Sequence, residues 1–212
     1  MNDYSENLNQ VNQLVTRNQD AIQEVKASAF WLSDEKQADG SNKIEVKFSS
    51  VRQWLKVSQT QNNTCHVIPI DGNRGVFRES GLPISQPDKF AYQWSTENGI
   101  DEKNPGDCDC LLLNEKWHFL EFKAEASSRE LKQIENNRNK AEAQLAKSMV
   151  SFREQLGKPT LACLCVVITP EFYDYPKSRA SLQTRKVRFL KLYSCKLEEI
   201  TVGGNTSYNL DL

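Results

Sequence analysis

The chain has 212 residues and a mass of 24.3 kDa, a length typical of a single domain or of one domain with an appendage. Hydrophobic residues make up 38% and charged residues 26%, and the longest apolar run, residues 161–168, is far shorter than the ~20 residues of a membrane-spanning helix. The N-terminus has neither a basic start nor an apolar stretch, so no secretory signal is predicted and the expected location is cytoplasmic.

The net charge of -1 conceals an uneven distribution. Residues 1–122 carry 12 basic and 18 acidic side chains, whereas residues 123–212 carry 15 basic and 10 acidic ones. The stretch Tyr175–Leu197 contains no acidic residue. Its basic residues are Lys177, Arg179, Arg185, Lys186, Arg188, Lys191 and Lys196. This stretch either binds a polyanion such as nucleic acid or forms a solvated face.

The first half of the chain predicts one long helix and two separate strands. Apolar residues recur at helical spacing over residues 5–32, namely Leu8, Val11, Val15, Ile22, Val25 and Ala29. Residues 36–43, which are rich in Asp, Gly, Ser and Asn, end this pattern. Alternating apolar residues then indicate strands at Ile44–Phe48 and Phe90–Trp94, with loops at residues 71–89 and 95–107.

The second half predicts a hairpin, a long helix and three further strands. Cys108–Leu113 and Trp117–Lys123 are apolar runs separated by three polar residues, the pattern of a β-hairpin. A helix is expected over Ser128–Leu156, because apolar residues keep helical spacing there and Gly and Pro follow. The remaining strands are predicted at Leu161–Thr169, Val187–Tyr193 and Lys196–Val202. This order favours a single α/β domain over residues 1–212, with one sheet between helices.

The six cysteines comprise two C-x-C pairs, Cys108 with Cys110 and Cys163 with Cys165, and two isolated residues. Neither pair has the C-x-x-C spacing of zinc sites, and only two histidines could complete such a site. Because residues two apart on a strand share a face, each pair is expected to contribute small side chains to a buried sheet. Zinc is therefore disfavoured, and the thiols are expected to be reduced.

The predicted hairpin brings two carboxylates together. If the loop has three residues, Leu113 faces Trp117, and Asp109 then lies directly across from Glu121. Lys123 is two residues beyond Glu121 and projects from the same face. A two-residue loop would instead place the two carboxylates on opposite faces, so the site depends on this register.

These charged residues are expected to lie in a buried sheet, where two carboxylates and an ammonium are costly unless they are paired, solvated or bound to a metal. Neighbouring carboxylates suit Mg²⁺ or Mn²⁺, which keep several waters and accept substrate phosphate as a further ligand. A nearby lysine can orient the attacking water and offset charge in the transition state of phosphodiester hydrolysis. In the alternative interpretation, the same residues end a loop and a strand in water and have no catalytic role.

Asp109, followed after an apolar strand by Glu121, Phe122 and Lys123, resembles the motif of the PD-(D/E)xK, or restriction-endonuclease-like, nuclease superfamily. The predicted order of elements over residues 5–193 is similar to the superfamily's αβββαβ core, a mixed central sheet flanked by helices. The resemblance implies that Asp109 and Glu121 bind Mg²⁺ or Mn²⁺ and that Lys123 is the catalytic lysine. It also implies that Gln144, on the following helix, supports the site.

Three features depart from the superfamily's pattern. The Pro-Asp step is absent, because Pro105 and Gly106 precede Asp107, which is a rival or an auxiliary to Asp109. Members of the superfamily often take a further acidic residue from the first helix, and Glu24 is the best placed here. Residues 39–107 form an insertion before the hairpin, which either carries target recognition or adds strands to the sheet.

The leading hypothesis is a metal-dependent nuclease, acting on DNA rather than RNA as most of the superfamily does, in restriction, phage defence or repair. The basic residues that would contact backbone phosphates are Lys177, Arg179, Arg185, Lys186 and Arg188. The alternative is a non-catalytic module for nucleic-acid binding or protein interaction. Its predicted helices, Ser5–Leu32 and Ser128–Leu156, would then bind a second copy of the chain or another protein. No membrane partner is expected.

Overall fold

The computed structural model describes residues 3–14, 22–61, 63–71, 106–158, 162–173, 176–203 and 207–211, and the statements below refer to these residues. The described chain is a mixed α/β fold with three α-helices and two mixed sheets, which confirms the prediction that the fold is α/β. The helices are α1 (Asp3–Leu14), α2 (Leu131–Gln155) and α3 (Pro176–Tyr193). No described helix combines the length and the apolar character that crossing a bilayer requires.

The strands belong to a six-stranded and a four-stranded sheet. In chain order they are β1 (Gln23–Val25), β2 (Ala29–Lys36), β3 (Asn42–Lys47), β4 (Leu55–Ser58), β5 (Cys65–Pro69), β6 (Cys110–Leu113), β7 (Trp117–Phe122), β8 (Cys163–Pro170), β9 (Lys196–Val202) and β10 (Ser207–Asn209). The larger sheet has the order β1-β5-β6-β7-β8-β9, and the smaller has the order β10-β4-β2-β3. A short 3₁₀ turn, Glu171–Tyr173, follows β8.

Both long helices are crossover connections of the larger sheet. Strands β7, β8 and β9 are neighbours and run parallel, so the chain must cross over between them, through α2 and then through α3. Since such crossovers are almost always right-handed, two of them proceeding in one direction place their helices on the same face of the sheet. Accordingly, one apolar core contains residues from α1, α2 and α3 together with one face of the larger sheet.

The other face of the larger sheet is covered by the smaller sheet. A second apolar core contains residues from all ten strands, including Phe30 and Leu32 of β2 and Leu112 and Leu120 of the hairpin. Strands β6 and β7, which lie between both layers, are buried at every position. The expectation of helices on both faces is therefore wrong for the described residues, because the smaller sheet covers the face that lies opposite the helices.

The predicted helix over residues 5–32 is wrong beyond its first part. Helix α1 ends at Leu14, whereas residues 23–25 and 29–36 are strands. Phe30 and Leu32, at alternating positions of β2, point into the second core, and β2 pairs with both β3 and β4. Apolar residues at helical spacing therefore did not define a helix here, because pairing with other strands decided the conformation.

The predicted strand Val187–Tyr193 is also wrong, because these residues form the end of α3. Phe189 and Tyr193, four residues apart, are buried apolar positions of this helix, whereas Val187, Leu190 and Leu192 are exposed. The β-branched and aromatic residues suggested a strand, but the parallel pairing of β8 with β9 requires a crossover in this part of the chain.

Other predicted elements agree with the structure. The hairpin, the long helix and the strands predicted near β3, β8 and β9 are confirmed, with ends that differ by a few residues. The insertion at 39–107 contributes β3, β4 and β5 to the two sheets. The predicted strand Phe90–Trp94, and most of the loops predicted at 71–89 and 95–107, lie outside the described residues.

The two cysteine pairs behave differently. Cys165 lies in the first core and Cys163 packs against it, as alternation predicts. Cys108 also lies in the first core, but Cys110 lies in the second, so the prediction that these two share a face is wrong. The reason is that β6 begins only at Cys110, and strand alternation does not extend back to Cys108.

A buried histidine connects the tip of the hairpin to the smaller sheet. His118 Nε2 lies 3.3 Å from Asn114 Oδ1 and its Nδ1 lies 2.6 Å from the Tyr208 hydroxyl. Because Asn114 Oδ1 can only accept, Nε2 donates the proton and Nδ1 accepts one from Tyr208. Burial, assisted by the charge of Lys116, lowers the pKa of His118 to about 4, so the imidazole is neutral at pH 7.

We expect the stability of the protein to fall as His118 becomes protonated. Its pKa is lower in the folded chain than in the unfolded chain, so the unfolded state binds the proton more tightly and stability is lost as the pH falls from 6.5 to 4. The shift corresponds to about 3 kcal/mol of unfolding free energy. Urea unfolding between pH 4 and 7 would measure this loss, and His118→Gln should flatten the curve in that range. Burial lowers the pKa of His66 as well, so the comparison is with wild type at each pH, and a curve of His118→Gln as steep as that of wild type would contradict the assignment.

Candidate active site

The register of the hairpin is the one that the sequence predicts. Strands β6 and β7 pair with Leu113 opposite Trp117 and Cys110 opposite Leu120. This pairing ends at Cys110, so Asp109 lies one residue beyond the ladder and is not itself a paired partner of Glu121. The Asp109 backbone N–H donates to the carbonyl of Leu120 at 3.1 Å, which holds Asp109 against β7 just before β6 begins. Asp109 and Glu121 therefore meet at the open end of the hairpin, away from its loop.

Asp109 is buried, with only 6% of its surface exposed. Its carboxylate Oδ2 accepts a hydrogen bond from the backbone N–H of Phe122. Burial, and then the charge of Glu121, raise the pKa of Asp109 well above its ordinary value, although Lys123 acts in the opposite direction. The carboxylate is thus close enough to Glu121 for the charge of Glu121 to act on it.

Glu121 and Lys123 form a direct ion pair. Glu121 is 1% exposed, and its Oε1 accepts a hydrogen bond from Lys123 Nζ. Burial raises the pKa of Glu121 to about 7 in spite of the lysine. Burial alone would lower the pKa of Lys123, but the charges of Glu121 and Asp109 raise it. The second carboxylate oxygen, Glu121 Oε2, is buried and has no hydrogen-bond partner among the described residues.

One face of α2 covers the site with polar side chains at positions 144, 147 and 148, which share a face because they are three and four residues apart. Gln144 Oε1 accepts from Lys123 Nζ at 3.3 Å, and its Nε2 donates to the carbonyl of Asp107 at 3.0 Å. The structure therefore brings Gln144 to the site, and its amide connects the lysine to the segment that precedes Asp109.

Asp107 has a different partner from Asp109. Its carboxylate lies 3.1 Å from Nζ of Lys147, a lysine of α2 that is buried. The adjacent backbone N–H of Cys108 donates to Ser148 Oγ at 2.9 Å. These contacts anchor the segment before β6 to the helix, and they make Asp107 a structural neighbour of the site rather than a rival for the position of Asp109.

Two further carboxylates, which sequence reasoning missed, act on the site. Asp34 of β2 has a pKa raised to about 6 by burial and by the charges of Asp71 and Glu125, while Lys123 lowers it. The N–H of Asp71, just beyond β5, faces the carbonyl of Asp109 at 3.4 Å. No sequence signal indicated Asp34, because its segment was predicted to follow a helix. Among the described residues, no three His, Cys, Asp or Glu side chains lie close enough to share one metal ion.

Glu24 is not part of this site. It lies on the edge strand β1 rather than on a helix, directly opposite His66 of β5. Its carboxylate lies 2.6 Å from Lys26 and 3.6 Å from His66 Nε2. The expectation that the first helix supplies an acidic residue through Glu24 is therefore wrong, because this part of the chain is a strand at the edge of the sheet.

The basic residues near the C-terminus lie on α3 and do not form one exposed surface. Arg185 is buried, and its guanidinium binds Glu142 at 2.9 Å and Glu135 at 2.8 Å. Lys186 lies 2.5 Å from Glu198 and is partly exposed. Arg188 is half-buried, and the side chains of Lys177 and Arg179 lie outside the description. The charge of Arg185 is thus used inside the protein, between α2 and α3.

The chain was compared with protein-family models, with curated proteins and with solved structures, and no match was found in any of the three. No relative therefore assigns a role to Asp109, Glu121 or Lys123. Any function for this site has to follow from its geometry and from the chemistry of its side chains.

We expect Arg185 and Lys186 to respond differently to loss of their charge. Arg185→Gln leaves Glu142 buried without its partner, so the free energy of unfolding should fall by about 3–5 kcal/mol. Lys186→Gln breaks an ion pair whose two side chains are 27% and 42% exposed, so the loss should stay below about 1 kcal/mol. Chemical denaturation of both variants measures the difference. Equal losses would show that Arg185 is not a buried structural cation.

Proposed function

We propose that this protein is a metal-dependent nuclease that hydrolyses phosphodiester bonds in DNA, with Asp109, Glu121 and Lys123 at its catalytic centre. The observation that carries the proposal is the state of Glu121. It is a buried carboxylate near the end of an apolar strand, with one oxygen on Lys123 and the other without a hydrogen-bond partner among the described residues. A buried polar atom without a partner is costly, and in a native protein it calls for an explanation such as a catalytic role, a bound water or a bound ion.

The donor set fits Mg²⁺ or Mn²⁺. These ions prefer carboxylate oxygens, need only one or two of them from the protein, and take water and substrate phosphate as the remaining ligands. Glu121 Oε2 supplies an oxygen that no other described residue binds, and Asp109 supplies a second carboxylate beside it. When bound there, the ion would polarise the phosphate and lower the pKa of a coordinated water. The raised pKa values of Asp109 and Glu121 would fall on binding, because a cation stabilises the charged carboxylates.

Lys123 is the residue of this chain that would act on the reacting groups. Its ammonium is held by Glu121 Oε1 and Gln144 Oε1, which fixes Nζ beside both carboxylates. With two acceptors in place, the ammonium has a third N–H for a water or a phosphate oxygen. It would thus orient the attacking water and stabilise the negative charge that develops on the phosphate. Gln144 is a positioning residue, because it holds Lys123 and the carbonyl of Asp107 together.

The order of elements also supports the proposal. Six elements follow the αβββαβ order of the nuclease superfamily that the motif resembles, namely α1, β5, β6, β7, α2 and β8. Strands β1–β4 are inserted after α1. The candidate residues lie at corresponding places, with Asp109 just before the second strand of this series and Glu121 near the end of the third. The insertion supplies the smaller sheet and, with it, Asp34.

The catalytic proposal predicts that the three residues fail in different ways. Asp109→Ala and Glu121→Ala remove metal ligands, so Mn²⁺ affinity and cleavage of DNA should both fall, and excess metal should restore part of the activity. Lys123→Ala keeps both carboxylates, so Mn²⁺ should still bind while turnover falls about 10²-fold or more. Calorimetric titration with Mn²⁺ and a cleavage assay on one DNA substrate separate the two classes.

Glu115→Gln serves as the charge control, because Glu115 is an exposed carboxylate in the hairpin loop, at the far end of β7. It should leave metal binding and cleavage unchanged. Undisturbed Mn²⁺ binding in Asp109→Ala, together with full activity in Lys123→Ala, would contradict the proposal and favour a non-catalytic module for nucleic-acid binding.

Gln144→Leu tests the positioning role on its own. The substitution removes both hydrogen bonds of the amide while leaving the three catalytic side chains in place. We expect turnover to fall about tenfold as Lys123 loses its fixed orientation, with Mn²⁺ affinity and KM unchanged. Gln133→Leu, an exposed position on the same helix, is the control. A parallel loss of metal binding would show instead that Gln144 supports the carboxylates.

A further inference from the structure

A cleft of about 540 Å³ lies beyond the carboxyl ends of the three parallel strands, beside the candidate active site. Ala124, the residue after Lys123, lines it, as do Pro170 at the end of β8 and Val202 at the end of β9. The backbone N–H of Lys123 donates to the carbonyl of Ile168 at 2.6 Å, which fixes this edge of the sheet. The volume is within the range of small-molecule sites, about 300–1,000 Å³.

The cleft carries two exposed arginines from different parts of the fold. Arg52 comes from the turn before β4 of the smaller sheet, and Arg129 comes from the segment before α2. Glu125 and Glu171 also line the cleft, so it is not uniformly basic. Guanidinium groups recognise phosphate oxygens through two parallel hydrogen bonds, which makes arginine well suited to a phosphodiester.

The backbone of the cleft has two residues in the left-handed region. Gln53, next to Arg52, has φ +69°, a conformation that a residue with a side chain rarely adopts and that recurs at functional sites. Gly203 has φ +122°, and a Cβ at that position would come within 3.1 Å of Glu171 Oε2. Both residues line the cleft, so part of its lining depends on unusual backbone geometry.

Arg129 and Phe172 together form a flat surface in this cleft. The Arg129 guanidinium lies over the Phe172 ring at 5.1 Å from its centroid. The edge-to-face contact between Phe172 and Tyr173, with centroids 5.2 Å apart, holds the ring in place. Splayed-out nucleobases stack on aromatic rings and on arginine planes of this kind, and such stacking tolerates any base.

We propose that this cleft binds one nucleotide of a single nucleic-acid strand, with Arg52 on a backbone phosphate and the base stacked on Arg129 and Phe172. The proposal rests on the proposed nuclease function, since it places the strand next to Lys123. Single-stranded nucleic acid is favoured over duplex because a paired base cannot reach a stacking surface inside a cleft. The cleft, rather than the basic residues of α3, then provides the main contact for the strand.

The test is the binding of a fluorescein-labelled oligothymidylate about 12 nucleotides long, measured by anisotropy in EDTA. We expect Arg52→Gln and Arg129→Gln each to weaken binding about tenfold, and Arg52→Gln also to reduce the salt dependence by about 0.7 for its lost phosphate contact. Phe172→Leu should weaken binding of the oligothymidylate but not of an abasic strand of the same length, because only the former can stack. Lys116→Gln, the same loss of charge in the loop at the opposite end of β7, is the control.

The proposal would be overturned if Arg52→Gln and Arg129→Gln both bind the oligothymidylate with the same affinity as Lys116→Gln. A duplex of the same length that binds as tightly as the single strand and loses as much affinity in the variants would also overturn it. Failure of the nuclease proposal has a separate readout, since binding in EDTA involves neither a metal nor cleavage. If the nuclease proposal holds and the cleft is wrong, Arg52→Gln and Arg129→Gln will cleave the oligothymidylate with the wild-type KM.

Discussion

The ion pair between Glu121 and Lys123 is the interaction on which the candidate site depends. All six residues of β7 are buried, because the helices cover one face of the strand and the smaller sheet covers the other. A carboxylate in such a place loses its hydration, and an attached lysine restores only part of the lost stabilisation. The remaining imbalance is visible in the raised pKa of Glu121, about 7, and in its unpartnered oxygen. A divalent cation would remove both.

The topology of the larger sheet explains why, in the part of the chain that the structure describes, neither long helix covers this edge. Two crossovers in the same direction place α2 and α3 on one face of β7, β8 and β9, so neither helix covers the strand ends. The carboxyl ends of these strands therefore border a cleft rather than a packed layer. Open ends of parallel strands are the usual place for ligands in α/β folds, because loops and side chains from several strands converge there.

The position of α2 depends on charged groups that are themselves buried. Arg138 of α2 binds Glu199 of β9 with two hydrogen bonds, and Arg185 of α3 binds Glu142 of α2. Burial raises the pKa of Glu142 to about 7 in spite of Arg185. The helix that carries Gln144 and Lys147 to the site is thus oriented by ion pairs as well as by its apolar residues. Buried ion pairs add little net stability, but they restrict how the helix can rotate and slide.

Local patterns in the sequence were sufficient to predict the hairpin and the long helix that follows it. Two apolar runs around three polar residues permitted one register in which the carboxylates meet, and the structure has that register. The same logic predicted Asp109, Glu121 and Lys123 as neighbours, because strand partners and alternating positions are short-range properties of a hairpin. Gln144 also lies at the site, although its role rested on the resemblance to a nuclease family.

Contacts between distant segments decided the rest. The sequence by itself determined that the fold is α/β and which register the hairpin has. Only the tertiary structure decided the second sheet, the strand character of residues 23–25 and 29–36, and the helical state of Val187–Tyr193. Apolar spacing in those segments was compatible with more than one conformation, and pairing with other strands or a crossover selected among them. Tertiary packing also decided which basic side chains are buried. Arg185 and Lys186 look alike in the sequence, but only the fold turns one inward to Glu142 and leaves the other partly exposed, because burial is a property of how α3 packs.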